Sequence, residues 1–128
     1  MNTQCEKCKI PDSIEHILYE CTISQDVWKI VENEFKCKMN LSSIVLGIDV
    51  GKKPKYVNKI REEIISYIAY LLYTYKMKCK NQKDVFSIKN IKIYVVNQLS
   101  DLSNVYEKIN VQFAKSCKKV IEHIRTMQ

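Results

Sequence analysis

The sequence predicts an all-α protein, with a small N-terminal Cys-Cys-His-Cys module followed by a helical, bundle-like tail. Three observations carry that expectation. The 128 residues contain two glycines and two prolines, too little turn chemistry for a multistranded sheet. The clearest hydrophobic pattern is helical, because Val57, Ile60, Ile64, Ile68, Leu71, Tyr75 and Cys79 recur at spacings of 3, 4, 4, 3, 4 and 4. Three of the six cysteines and one of the two histidines crowd into residues 5 to 21, while Cys37, Cys79 and Cys117 are scattered. The length suits one compact unit with a stapled N-terminal module.

The elements follow in chain order. A tight turn around Cys5 and Cys8 ends at Ile10 and Pro11. Asp12 then opens a short helix, with Glu15 in capping-box register, that runs to about Glu20. A second helix starts at Ser24 and carries Val27, Trp28, Val31 and Phe35 on one face. Residues 37–53 lose periodicity and read as an ordered connector with room for one short strand. Pro54 suits the first turn of the long helix. After a break at Asn81 to Lys83, Asp84 or Ser87 caps a helix bearing Ile88, Ile91, Val95, Leu99 and Leu102, extending toward Tyr106 and Ile109. A final helix holds Val120, Ile121 and Ile124. The expected division is a metal module at 1–36, a connector at 37–53 and a helical domain at 54–128.

The cluster reads Cys5-x2-Cys8-x7-His16-x4-Cys21. Three thiolates and one imidazole have the number and softness of a tetrahedral structural zinc site. Spacing and ligand type both disfavour a chance grouping of reduced cysteines. One Zn2+ would fill its shell with protein ligands, which leaves no position for a reactive water and implies folding rather than hydrolysis. Lys7 and Lys9 are the neighbouring charges expected to moderate the site's net negative charge. Cys37, Cys79 and Cys117 read as small buried hydrophobes, and His123 as a surface residue. With His16 on the metal, no acid–base pair remains, so the expectation is not an enzyme.

The net charge of +7 is uneven: residues 1–50 carry five Lys against eight acids, and residues 51–128 sixteen basic against six acidic residues. Such a surplus suits RNA or DNA and equally a solvated helix face. The expected phosphate contacts are Lys52, Lys53, Lys55, Lys59, Arg61, Lys76, Lys78, Lys80 and Lys83, with Lys7 and Lys9 at the edge of the module. Contacts of that kind are salt-sensitive and indifferent to sequence. Tyr67, Tyr70, Tyr73 and Tyr75 fall in the long helix and read as core packing with surface hydroxyls rather than as stacking platforms. The competing function class is a protein-interaction module.

Residues 1–10 contain no apolar signal sequence, and the run from Ile64 to Tyr75 is too short to span a membrane. An intracellular, nuclear or cytoplasmic, reducing compartment is expected, without membrane association.

The stretch CEKCKIPDSIEHILYECTISQDVW resembles the zinc-binding domain at the C-terminus of reverse transcriptases of non-LTR (LINE-type) retrotransposons. The resemblance rests on Cys5, Cys8, Glu15, His16, Ile17, Leu18, Cys21 and Trp28. Retroviral nucleocapsid knuckles differ, with four residues before their histidine where this chain has seven. The tail is also similar to the segment after that module, through the connector residues 45–48 and the Ile- and Tyr-rich residues 60–76. The resemblance implies a region that holds template RNA or target DNA beside a polymerase, with the rest of a retroelement polymerase as a protein partner. No aromatic residue precedes an Asp-Asp pair here, so polymerisation is not expected of this chain. Met1 close before the motif fits a truncated remnant; a small protein reusing the module is the other reading.

Overall fold

The computed structural model describes residues 4–46 and 55–126, and these are all-helical apart from turns and one isolated antiparallel bridge between Gln4 and Pro11. A π-helical turn spans His16–Glu20. It is followed by α1 (Thr22–Phe35), α2 (Leu41–Leu46), α3 (Lys55–Asn81), α4 (Ile88–Tyr106) and α5 (Val111–Thr126).

The N-terminal helix differs from the expectation at its start. Ser13, not Asp12, supplies the cap, its hydroxyl accepting from the His16 amide at 3.1 Å. Asp12 points inward to a different task described below. The π turn is closed by the Cys21 amide donating to the His16 carbonyl at 2.8 Å. Its wider bore turns the next carbonyls toward side chains. Ser24 Oγ donates to the Ile17 carbonyl, and Trp28 Nε1 donates to the Leu18 carbonyl at 2.6 Å. Helix α1 therefore begins at Thr22, with Ser24 buried inside its first turn rather than standing as its cap.

Lys36 ends α1 in the left-handed region, φ 54°, where glycine is the usual occupant. The chain then reverses through Met39, whose amide donates to the Glu32 carboxylate at 2.7 Å. The expected connector, which left room for one short strand, holds a short helix instead. Asn40 Oδ1 accepts from the Ser43 amide at 2.8 Å and starts α2, and Ile44 turns inward while Val45 stays exposed. The β-branched pair suggested a strand, but a side-chain cap with one inward residue per turn favours the helix.

Helix α3 buries Ile60, Ile64, Ile65, Ile68, Leu71 and Leu72, a wider stripe than one heptad seam. Of the two candidate caps, Ser87 starts α4, accepting from the Asn90 amide at 3.2 Å. Helix α4 ends at Tyr106, so Ile109 lies in the turn to α5. Helices α4 and α5 form a hairpin. The Tyr106 and Phe113 rings lie 4.6 Å apart near its turn, and Ser103 Oγ donates to the Ala114 carbonyl. The final helix is longer than expected because Asn110 Oδ1 caps it from the Phe113 amide at 3.1 Å.

One hydrophobic core runs from Cys5 and Cys21 through Val27, Trp28 and Val31 to Ile64, Leu99 and Val120. The metal cluster and the helical bundle share it. His123, expected at the surface, is half-buried, with Nδ1 2.9 Å from the Glu34 carboxylate of α1.

Trp28→Phe would keep most of the buried ring area and strand the Leu18 carbonyl. Urea denaturation should show a loss of about 1–3 kcal/mol.

Candidate metal centre

Cys5, Cys8, His16 and Cys21 converge, with their four ligand atoms all within 4.8 Å of one another. The turn positions the first two. Cys5 N–H donates to the Ile10 carbonyl and Lys9 N–H to the Cys5 carbonyl, each at 2.8 Å. Lys9 takes φ 62° to close the loop, and Gln4 Nε2 ties down its carbonyl at 2.8 Å. The π turn presents His16 on the inner side, and Cys21 follows at the N-terminus of α1.

Two features test whether this group fits a metal ion. The His16 side chain is buried, and neither ring nitrogen has a hydrogen-bond partner. An uncompensated buried imidazole is costly, and an ion would take one nitrogen's lone pair. The Cys8 and Cys21 sulfurs are 4.0 Å apart, near the edge of about 3.8 Å for thiolates about 2.3 Å from a tetrahedral centre. The four residues can hold a metal ion.

The surroundings hold a group the sequence did not flag for this purpose. Lys76 of α3 enters the cluster with its Nζ 3.1 Å from Cys5 Sγ, 3.7 Å from Cys21 Sγ and 3.0 Å from Asp12 Oδ1. Lys80, one turn on, pairs with Asp12 Oδ2 at 2.5 Å. The Asp12 side chain is wholly buried and that of Lys76 is 4% exposed. Three thiolates and a neutral imidazole around a divalent ion carry a formal charge of −1. Lys76 cancels it, and Asp12 and Lys80 cancel each other.

The electrostatics follow this arrangement. Burial alone would raise the Cys5 thiol, but the Cys8 backbone amide and the Lys76 ammonium bring it down to about 6. Cys21, more deeply desolvated and facing Cys5, is pushed up to about 11, with the Ile23 amide and Lys76 pulling the other way. Burial pushes the Lys76 ammonium down, yet its bonds to Cys5 and Asp12 outweigh this and hold it above the ordinary lysine value. At both sulfurs burial opposes ionisation and the Lys76 ammonium favours it.

The expected phosphate contacts divide. Lys76 is at the cluster and Arg61 is buried with its guanidinium 5.1 Å from the centre of the Phe35 ring; neither is presented to a polyanion, because each lies on the inward face of α3. Lys52 and Lys53 lie outside the described residues, and Lys55 is the first residue of α3. Lys7, Lys9, Lys59, Lys78 and Lys83 are exposed and Lys80 is half-buried. Lys7, Lys80 and Lys83 come together around a cleft of about 870 Å³ beside the cluster, with Met77, Val85 and Phe86 among its apolar lining and Glu6 and Asp84 also on its walls. Lys76 is the cation in contact with the cluster sulfurs, while Lys7 and Lys9, the neighbouring charges expected to moderate it, are exposed.

The tyrosines also divide. Tyr67 and Tyr75 are half-buried against the core, Tyr75 packing 4.7 Å from the Tyr94 ring. Tyr70 and Tyr73 are 61% and 40% exposed, which corrects the expectation of core packing for that pair. They lie on the side of α3 facing away from Ile64, Ile68 and Leu71. Cys79 and Cys117 are buried as expected, and Cys37 is half-buried.

Comparison of the chain with protein-family models, curated proteins and solved structures gives no match.

Lys76→Met keeps the buried stem and removes the charge. Competition against a chelator should show metal affinity reduced about 10- to 100-fold, the range for lost outer-sphere partners, while Lys9→Met leaves it unchanged.

Proposed function

We propose that the chain is a zinc-stapled helical module that binds RNA or DNA through phosphate contacts and has no catalytic activity of its own. Zinc is the ion that the donor set favours, since three thiolates and an imidazole at tetrahedral spacing suit it better than oxygen-seeking cations. Four protein ligands fill its shell, so the metal's contribution is to folding. Thiolates in this state need a reducing compartment, which favours the cytoplasm or nucleus.

The nucleic-acid part rests on one observation: Lys7 from the N-terminal turn and Lys80 and Lys83 from the end of α3 line the same cleft beside the metal cluster. Lysines far apart in sequence meet there, with Glu6, Asp12 and Asp84 also on the walls, on a chain with a net charge of +7. The resemblance to the zinc domain of non-LTR reverse transcriptases points the same way. On that reading the module holds nucleic acid beside a polymerase supplied by another polypeptide segment. None of the described helices is long and apolar enough to cross a bilayer.

A protein-interaction module is the second reading, favoured by Val105, Ile109 and Val111, which are 63%, 74% and 49% exposed around the α4–α5 turn. Apolar groups gathered at a hairpin tip can seat a partner.

Metal analysis of the purified chain should give one zinc per molecule. Its affinity for RNA and DNA should fall linearly in log–log form with salt, and Lys7→Gln or Lys83→Gln should each lower that slope by about one. Binding that is absent, or that ignores salt, would favour the protein-interaction reading instead.

A further inference from the structure

Ser66, Tyr70, Tyr73, Met77 and Lys80 follow one another on α3 at spacings of 4, 3, 4 and 3, so they share one face of the helix. The upper part of this face is aromatic and open to solvent, with Tyr70 at 61% and Tyr73 at 40% exposure. The lower part, Met77 and Lys80, forms part of the wall of the cleft beside the cluster. The two are therefore one continuous surface. We propose that this surface is a track for single-stranded nucleic acid, with bases resting on Tyr70 and Tyr73 and the backbone passing to Lys80, Lys83 and Lys7. The inference rests on the nucleic-acid reading above and specifies which form of nucleic acid is taken.

Two physical arguments select the single strand. First, the cleft lysines are not unopposed: Glu6 and Asp84 share its walls, and Lys80 is paired with Asp12. A duplex, which offers only phosphates to such a surface, gains little from it. A single strand brings exposed bases to the aromatic face as well, and stacking of this kind tolerates any sequence. Second, the rings are close together. The Tyr67 ring, half-buried, stacks beside Tyr70 with centroids 6.4 Å apart at an interplanar angle of 23°. The backbone positions of Tyr70 and Tyr73 are about 4.5 Å apart along the helix axis, of the order of one nucleotide step of about 3.4 Å.

The test uses the full-length, zinc-loaded chain with three probes of equal length: an oligothymidylate 12-mer, an abasic 12-mer with the same phosphates, and a 12-base-pair duplex. The oligothymidylate should bind at least about tenfold more tightly than either of the others. Tyr70→Ser with Tyr73→Ser should reduce oligothymidylate binding by about tenfold per ring and leave the abasic strand unaffected, while Tyr70→Phe with Tyr73→Phe retains it. Equal affinity for all three probes overturns the track and leaves phosphate binding standing. A single-strand preference that survives both serine substitutions also overturns it, since other residues would then hold the bases. Failure to bind any probe overturns both this inference and the nucleic-acid reading. The probe comparison on the unmodified chain decides the matter even if a variant folds poorly.

Discussion

The rest of the molecule is arranged around one buried ammonium. Lys76 Nζ touches two thiol sulfurs and one carboxylate oxygen, in a region where an unpaired charge would be strongly destabilising. A divalent ion held by Cys5, Cys8, His16 and Cys21 would form a complex of formal charge −1, and among the described residues Lys76 reaches its sulfurs from the helical side. The N-terminal turn and the middle of the longest helix are thereby held together by charge as well as by shape. Asp12 extends the same network outward to Lys80, so the polar groups alternate in sign from the cluster to the cleft rim.

Around that contact the packing is apolar and ordinary. The π turn is secured from above by Ser24 and Trp28, whose side chains take up carbonyls that a regular helical turn would have bonded internally. Trp28 and Val31 continue the same core into the face of α3 that carries Ile64 and Ile68. At the far side, the α4–α5 hairpin closes over α1, with His123 meeting Glu34. The cluster is thus a corner of the one core, and its geometry is held by helices that carry no ligand.

The four candidate ligands were legible in the sequence because their chemistry and spacing are local, falling within residues 5 to 21. The helices α1, α3, α4 and α5 were legible from their periodicity. Lys76 was not, because a lysine in a basic segment reads as solvated. The signal that could have found it is positional: Leu72, Lys76 and Cys79 are spaced by 4 and 3, which puts the lysine on the buried stripe. Asp12 looked like a helix cap because local hydrogen bonding is the common use of that residue before a helix, and only the long-range partner shows otherwise. Tyr70 and Tyr73 were hidden by the richness of α3 in apolar residues, since a helix with so wide a buried face leaves few clues to its outer one. The helix at Leu41–Leu46 was missed because six residues are too few for periodicity to outweigh β-branched composition.

The separation between the cluster and its compensating cation has a temporal side. Cys21 precedes Lys76 by 55 residues, so on a ribosome adding about 5–20 residues per second the ligand set is synthesised roughly 3–11 s before the ammonium that neutralises it. During that interval the nascent segment has every donor atom needed to capture an ion and no neighbour to offset the resulting charge. The emergence of α3 then completes the electrostatics of a site whose coordination was already possible. The donor set within residues 5–21 is thus complete before its compensating cation is made.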